Sequence, residues 1–195
     1  MQKEKNSTIK DIQKKQEIGI VKRRDTSENQ VNYSYLSIGS NLGDKILNLE
    51  KVKYLLKKNS VQIIKSSSYY VTNSWPNPKF PKFLNAVLYI KTSFNIMDFF
   101  RLIKSIEKIL GRKKSKINYP RKCDIDIIDF NGKILELDIN SQKLSIPHPR
   151  MHKRNFVLFP LFELNRKWFH PKLKRNIVKL IGTLANSDLS SIKIL

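Results

Sequence analysis

Between Tyr33 and Phe130 the apolar residues change period in a fixed order, and that order constrains the fold more than any other feature of the chain. Alternation from Tyr33 to Ile38 has the two-residue period of a strand and runs into a turn, Gly39-Ser40-Asn41-Leu42-Gly43-Asp44. Leu47, Leu49, Val52, Leu55 and Leu56 recur at helical spacing, which predicts a helix over 45–58. Val61 to Val71 reads as one strand and Phe83 to Thr92 as another. The segment Trp75-Pro76-Asn77-Pro78-Lys79-Phe80-Pro81 between them reads as a loop, because proline removes backbone donors. Asn95, with Asp98 three residues on, opens a second helix over 95–110, closed by Gly111. A basic loop over 112–120 leads to a strand from Asp124 and a hairpin turned by Asn131-Gly132. This order predicts an α+β, ferredoxin-like βαββαβ core: an antiparallel sheet with helices on one face. An extra β-hairpin and C-terminal helices near 154–164 and 175–184 complete it.

A chain of 195 residues with 40% hydrophobic content can enclose one core. Residues 1–31 are polar, mixed in charge and poor in aromatics, so they cannot bury enough surface to offset their ordering entropy. They are expected to be a flexible extension ahead of a single domain at 32–195. The net charge is +22, yet the extension holds eight Lys/Arg against five Asp/Glu and contributes only +3. The excess lies in the folded part and predicts an anionic partner: a nucleotide, a nucleic acid or an acidic surface. Cys123 is the only cysteine, which excludes an internal disulfide and fits a reducing cytosol. Its neighbours put it on the inward side of a strand, as a core residue. There is no apolar run of about 18 residues and no secretory apolar segment at the N-terminus, so a cytoplasmic protein is expected.

The strongest chemical signal is Tyr119-Pro120-Arg121-Lys122-Cys123-Asp124-Ile125-Asp126-Ile127-Ile128-Asp129-Phe130. On a strand Asp124 and Asp126 point the same way, while Cys123, Ile125 and Ile127 point the other. Two carboxylates side by side repel unless a cation lies between them. Mg²⁺ suits such a pair, because it takes oxygen ligands and leaves room for substrate phosphates. Arg121 stands just upstream, ready to hold an anion. A solvated strand face would carry the same residues.

Four further groups stand out. Phe83 and Asn85 share a strand face near Thr72, so a flat ring could stack on Phe83 while Asn85 reads its edge; a core Phe beside an edge Asn is the plainer account. Glu107 sits among Arg101, Lys104 and Lys108, where a surface carboxylate making helical pairs is the plainer account. Five of the residues from 112 to 121 are Lys or Arg: Arg112, Lys113, Lys114, Lys116 and Arg121. That suits a polyphosphate, or a solvated charge run. Finally, Pro147-His148-Pro149 stiffens a histidine, and Arg154 and Phe156 open the next helix, where backbone N–H groups favour anions. The chain has no Walker A motif and no Gly-x-Gly-x-x-Gly, so those phosphate cradles are excluded.

Over about residues 33–185 the chain resembles 6-hydroxymethyl-7,8-dihydropterin pyrophosphokinase. The likeness rests on Gly39-Ser40-Asn41-Leu42, Phe83-Leu84-Asn85-Ala86, Pro120-Arg121-x-x-Asp124-x-Asp126-Ile127 and Pro147-His148-x-x-Met151-x-x-Arg154-x-Phe156, in that order. The resemblance implies a folate-pathway enzyme that passes the terminal diphosphate of ATP to the hydroxymethyl oxygen of the dihydropterin, with AMP leaving. It implies two Mg²⁺ ions on Asp124 and Asp126, with Arg112 and Arg121 as further catalytic residues. The pterin would lie between Phe83 and Phe156, hydrogen-bonded by Asn85, Thr72 and the backbone near Trp75. Arg121, His148 and Arg154 would neutralise the triphosphate, helped by Arg112 and Lys114. Glu107 would line the nucleotide site, and Ile127 and Ser145 would sit near the adenosine. The Pro-rich segment 73–81 and the basic loop 112–120 are candidate lids that exclude water. The family's Trp-Gly before the Pro-Arg pair is Asn118-Tyr119 here, an aromatic shifted by one. A monomer acting on small molecules is expected, with no membrane and no nucleic acid as specific partner. The alternative is a basic ferredoxin-like nucleic-acid-binding protein or a catalytically impaired homologue.

Overall fold

The computed structural model describes residues 31–75, 77–111, 119–139 and 142–195. The extension expected over 1–31, Val31 excepted, and the loop residues Arg112 and Lys114 lie outside the described residues. Strand β1 (Asn32–Ser40) is the hub of the sheet. It pairs antiparallel with β4 (Phe83–Thr92) on one side and β5 (Asp124–Phe130) on the other. Beyond β4 lie β2 (Gln62–Ser66) and β3 (Tyr70–Thr72), also antiparallel. Helices α1 (Lys45–Lys58) and α2 (Ile96–Ile109) form where the helical spacing placed them. Asp44 caps α1 by accepting the Leu47 N–H at 2.9 Å, and Asn95 caps α2 by accepting the Asp98 N–H at 2.9 Å.

The core has two parts, one on each face of the sheet. On the first face Leu49, Val52 and Leu56 of α1 and Phe99, Ile103 and Ile106 of α2 cover Leu36, Ile38 and Ile125. The second face is covered by α3 (Asn155–Leu164) and α4 (Ile177–Ile181), through Val157, Leu158, Leu161, Ile177 and Leu180 against Val87 and Ile128. The two core helices therefore share one face, as expected, and the C-terminal helices, whose face the sequence left open, cover the other. The C-terminal helices carry an apolar stripe of their own, and the second face of the sheet is where they bury it.

The strand expected over Val61–Val71 is broken in two. Between Ser66, opposite Leu88, and Tyr70, opposite Asn85, three residues face two. Ser67 Oγ accepts the Val87 N–H at 3.0 Å, and Ser68 donates its N–H and hydroxyl to Glu163 of α3 at 2.9 and 3.0 Å. Serine side chains thus replace ladder hydrogen bonds at the break.

The Asn131-Gly132 turn forms, with both residues at positive φ (54° and 64°), but it does not fold β6 (Leu135–Ile139) back onto β5. Instead β6 pairs with β7 (Gln142–Ile146) in a separate ribbon. The free edge of β5 is already used: Glu107 accepts the Ile125 N–H at 2.9 Å, and the His148 N–H donates to the Ile128 carbonyl at 3.0 Å. A small ribbon of β8 (Phe169–His170) and β9 (Arg175–Asn176), a short helix α5 (Asn186–Ser190) and a closing strand β10 (Lys193–Ile194) on the edge of β3 complete the chain.

Candidate active site

The second face of the sheet carries the polar residues of interest in two rows, because directly paired residues point the same way. Asp124, Gly39 and Asn85 form one row across β5, β1 and β4. Asp126, Ser37 and Val87 form the next. Asp124 and Asp126 are thus neighbours on one face, as alternation required, with Ile125 and Ile127 buried beneath in the first core. Asn85 stands two strands from Asp124, about 10 Å across the sheet. Between them Gly39 leaves a clearing, since a Cβ there would come to 2.8 Å from Asn85 Oδ1 and 3.6 Å from Phe83 Cδ1.

Each carboxylate is met by a guanidinium. Arg121 Nη1 donates to Asp124 Oδ2 at 3.2 Å, and Arg154 Nη1 donates to Asp126 Oδ2 at 2.9 Å. His148 Nε2 lies 3.8 Å from the same Asp126 oxygen. Its Nδ1 accepts the Arg150 N–H at 3.2 Å, so a neutral ring carries its proton on Nε2, toward the acid. The Arg154 guanidinium also sits 5.4 Å above the Phe156 ring, which links the first turn of α3 to the acid pair.

On the other side of Gly39, Asn85 Nδ2 donates to Thr72 Oγ1 at 3.0 Å, and both residues are almost wholly buried. Phe83 pairs with Thr72 across β4 and β3 and is half-buried beside a recess of about 320 Å³ that Lys45, Val71 and Leu84 also line. The structure therefore brings together Thr72, Phe83, Asn85, Asp124 and Asp126 on one face, with Arg121, His148, Arg154 and Phe156 at its border. Trp75 is 74% exposed, and its ring lies out in solvent. Ser145 lies on the β6–β7 ribbon. Ile127 is 4% exposed, and its side chain belongs to the first core rather than to the face that carries the acids.

A model of the 7,8-dihydro-6-hydroxymethylpterin-pyrophosphokinase (HPPK) family matches residues 35–166. The chain belongs to the HPPK family. It is 38% identical over 134 residues to the 2-amino-4-hydroxy-6-hydroxymethyldihydropteridine pyrophosphokinase of Bacillus subtilis, covering 68% of this chain and 78% of that one. The enzyme of the same name from Porphyromonas gingivalis is 32% identical over 141 residues, 71% of this chain and 93% of its own. Among solved structures, a Plasmodium falciparum HPPK-DHPS chain with pterin and p-hydrobenzoate superposes with a TM-score of 0.71 at 17% identity, over 87% of this chain and 48% of that one. The chain therefore spans most of these bacterial HPPK relatives and about half of the fused one. The solved structure supports the fold, antiparallel sheet and helices together.

HPPK membership does not by itself explain how the acids are held, and the geometry does. Glu107, read from the sequence as a plausible surface carboxylate, is 2% exposed. Its Oε1 accepts the N–H of Ile125, the residue between the two acids, and its Oε2 accepts from Lys104 Nζ at 2.9 Å. Asn41, which the sequence shows in the first turn and in the Gly39-Ser40-Asn41-Leu42 motif, is 1% exposed. Its Oδ1 accepts the Arg121 N–H at 2.7 Å and its N–H donates to the Arg121 carbonyl at 3.1 Å. Its Nδ2 reaches Ser74 Oγ at 3.2 Å and the Pro81 carbonyl at 3.3 Å. One buried amide thus ties the end of β1 to the segment before the acids and to the Pro-rich loop. Phe80 of that loop meets the Tyr119 ring at 5.5 Å. The sequence signal for Asn41 is its place in the Gly39-Ser40-Asn41-Leu42 motif, which says nothing of these partners.

The charges around the HPPK acids set their protonation. Burial pushes the Asp126 carboxyl up, but His148, the Arg154 guanidinium and the Lys104 ammonium prevail and hold it below its ordinary value. His148 is itself pushed down to about 4, chiefly by burial and against the upward pull of Asp126. It is neutral at pH 7, so the arginine and the lysine carry the attraction there.

Proposed function

We propose that the chain transfers the diphosphate of ATP to the hydroxymethyl oxygen of 6-hydroxymethyl-7,8-dihydropterin, giving the pterin diphosphate and AMP in folate biosynthesis. The observation that carries this reading is Asp124 and Asp126 on one strand face, each met by an arginine, one clearing away from the Thr72–Asn85 pair, in a chain of the HPPK family. In the transfer the substrate oxygen bonds to the β-phosphorus of ATP. The bond from that phosphorus to the α–β bridging oxygen breaks, AMP keeps the oxygen, and the hydroxyl proton is lost to solvent.

The donor set suits Mg²⁺. Asp124 and Asp126 offer hard oxygens from side chains that are 28% exposed. Among the described residues no third His, Cys, Asp or Glu joins them, which leaves positions for phosphate oxygens and water. Two such ions, when bound, supply charge neutralisation at the phosphates. The remaining work is positioning. Phe83 and Phe156 hold the pterin ring, and Asn85 and Thr72 meet its polar edge. Trp75 contributes its backbone. Arg121, Arg154 and the neutral N–H of His148 meet the triphosphate, with Arg112 and Lys114 from the basic loop. Glu107 lines the nucleotide site while it fastens the acid strand, and Ser145 and the Ile127 backbone face the adenosine. The Phe80–Tyr119 contact supports closure of the two candidate lids over the site as a unit. We read the working unit as a monomer in the cytosol. Among the described residues no helix is long and apolar enough to cross a membrane.

The deciding experiment measures AMP release from ATP with hydroxymethyl-dihydropterin. The reading requires release that depends on both the pterin and Mg²⁺. Release without pterin, or none at all from folded protein, refutes it.

A further inference from the structure

Along the same sheet face, one row or about 7 Å beyond Asp126, lies a second recess of about 300 Å³ that the proposed chemistry does not use. Tyr89, Tyr35 and Asp129 form a third row across β4, β1 and β5. The β5 bulge makes this row. The extra residue, Ile128, lets Asp129 turn to the second face rather than into the first core. Tyr89 stacks on Tyr35 at 4.8 Å and on Tyr33 at 5.8 Å between centroids, with interplanar angles of 25° and 18°. Trp168 lines the recess as well.

Asp129 is 5% exposed and is one of the residues that line the recess. It accepts the Gly132 N–H at 2.8 Å and Trp168 Nε1–H at 3.2 Å. Among the described residues no lysine or arginine forms an ion pair with it, although the chain has 38 of them. A buried carboxylate with two neutral donors and spare lone pairs is a costly group to leave without a counter-charge. Tyr33, Tyr35 and Tyr89 line the same recess, and aromatic rings add attraction for a cation there. Burial lifts the Asp129 carboxyl above its ordinary value, the mark of an acid short of positive charge. Lys167 also lines the recess, the one cation facing it among the described residues.

We propose that this recess binds a small organic cation, an ammonium or guanidinium group on an aliphatic stem, with Asp129 as its counter-ion and the tyrosine rings as its walls. An N–H-bearing head fits better than a quaternary one, because the carboxylate has lone pairs to fill. The site is separate from the acid pair and stands independently of the proposed activity.

Agmatine is the probe, and the Trp168 indole N–H is the reporter, because it bonds the Asp129 carboxylate directly. In the nuclear magnetic resonance spectrum of the isotope-labelled full chain, agmatine is expected to shift the Trp168 indole signal saturably and leave that of Trp75 unmoved. Tetramethylammonium at equal concentration should shift it at least tenfold more weakly. Asp129→Asn and, at the exposed rim, Tyr33→Ser are each expected to weaken agmatine binding at least tenfold with AMP formation unchanged. Lys167→Ala should tighten it severalfold. A shift that sodium chloride reproduces at the same ionic strength, or no shift in either the unaltered chain or Lys167→Ala, overturns the proposal. So does undiminished binding in folded Asp129→Asn and Tyr33→Ser.

Discussion

The carboxylate of Glu107 accepts the backbone N–H of Ile125 at 2.9 Å, and Ile125 is the residue between the two candidate metal-binding acids. A helix side chain thereby fixes the height of the acid strand against α2 through its backbone. Truncation to alanine strands a buried N–H, which costs about 1–3 kcal/mol. Glu107→Ala is expected to lower both thermal stability and AMP formation. Glu107→Gln keeps an acceptor and should recover most of the stability. Equal melting temperatures for unaltered protein and Glu107→Ala would refute the bracing role.

Asp124→Asn and Asp126→Asn keep shape and remove charge. AMP formation is expected to fall on the order of a hundredfold or more, by analogy with loss of other preorganised charge-stabilising groups. The asparagine oxygen still accepts from the arginine in each variant, so melting should change only slightly. Turnover within a few-fold of the unaltered protein would remove the acids from the mechanism.

Gly39 stands where a side chain would enter the clearing. Its added Cβ would reach 2.8 Å from Asn85 Oδ1, and such overpacking costs about 1–3 kcal/mol. Gly39→Ala is expected to raise the KM for the pterin roughly tenfold, with the KM for ATP much less changed. A change confined to ATP would place the pterin elsewhere.

Phe156 sits at the first turn of α3 under the Arg154 guanidinium. Loss of a stacking ring costs about 1 kcal/mol beyond its area. Phe156→Ala should therefore weaken a pterin analogue at least several-fold in calorimetry and leave ATP affinity nearly intact. Equal losses for both ligands would contradict stacking.

His170 is 3% exposed, and its Nδ1 accepts the N–H groups of Lys172 and Leu173 at 3.3 and 3.2 Å. Burial, chiefly, pushes it down to about 4 from 6.5. Between those values the unfolded chain binds the extra proton, so stability rises with pH through this window and is lost as the pH falls toward 4. His148, also pushed down to about 4, acts in the same sense. Asp129, whose carboxyl is raised, acts in the opposite sense as pH climbs through its folded value. Melting temperatures followed from neutral pH downward should drop across this range, and His170→Asn should flatten the slope. A flat profile for the unaltered protein would refute the assignment.

The order of strands and helices was legible because each element obeys one period and buries one face. Alternation also gave the shared direction of Asp124 and Asp126, a consequence of the chain's own geometry that needs no partner. The sequence could not show that Val61–Val71 breaks at its serines, since the break follows from Glu163, far along the chain, capturing Ser68. Nor could it show that β6 leaves β5 after a correctly read turn, because Glu107 and His148 take the edge it would have used. The placement of Glu107, Asn41 and Asp129 was out of reach for the same reason: each is buried by elements that only packing brings near. Periodicity is a local property and could be read along the chain. Which polar groups meet across the sheet depends on register, bulge and helix docking, so the tertiary structure alone determined it.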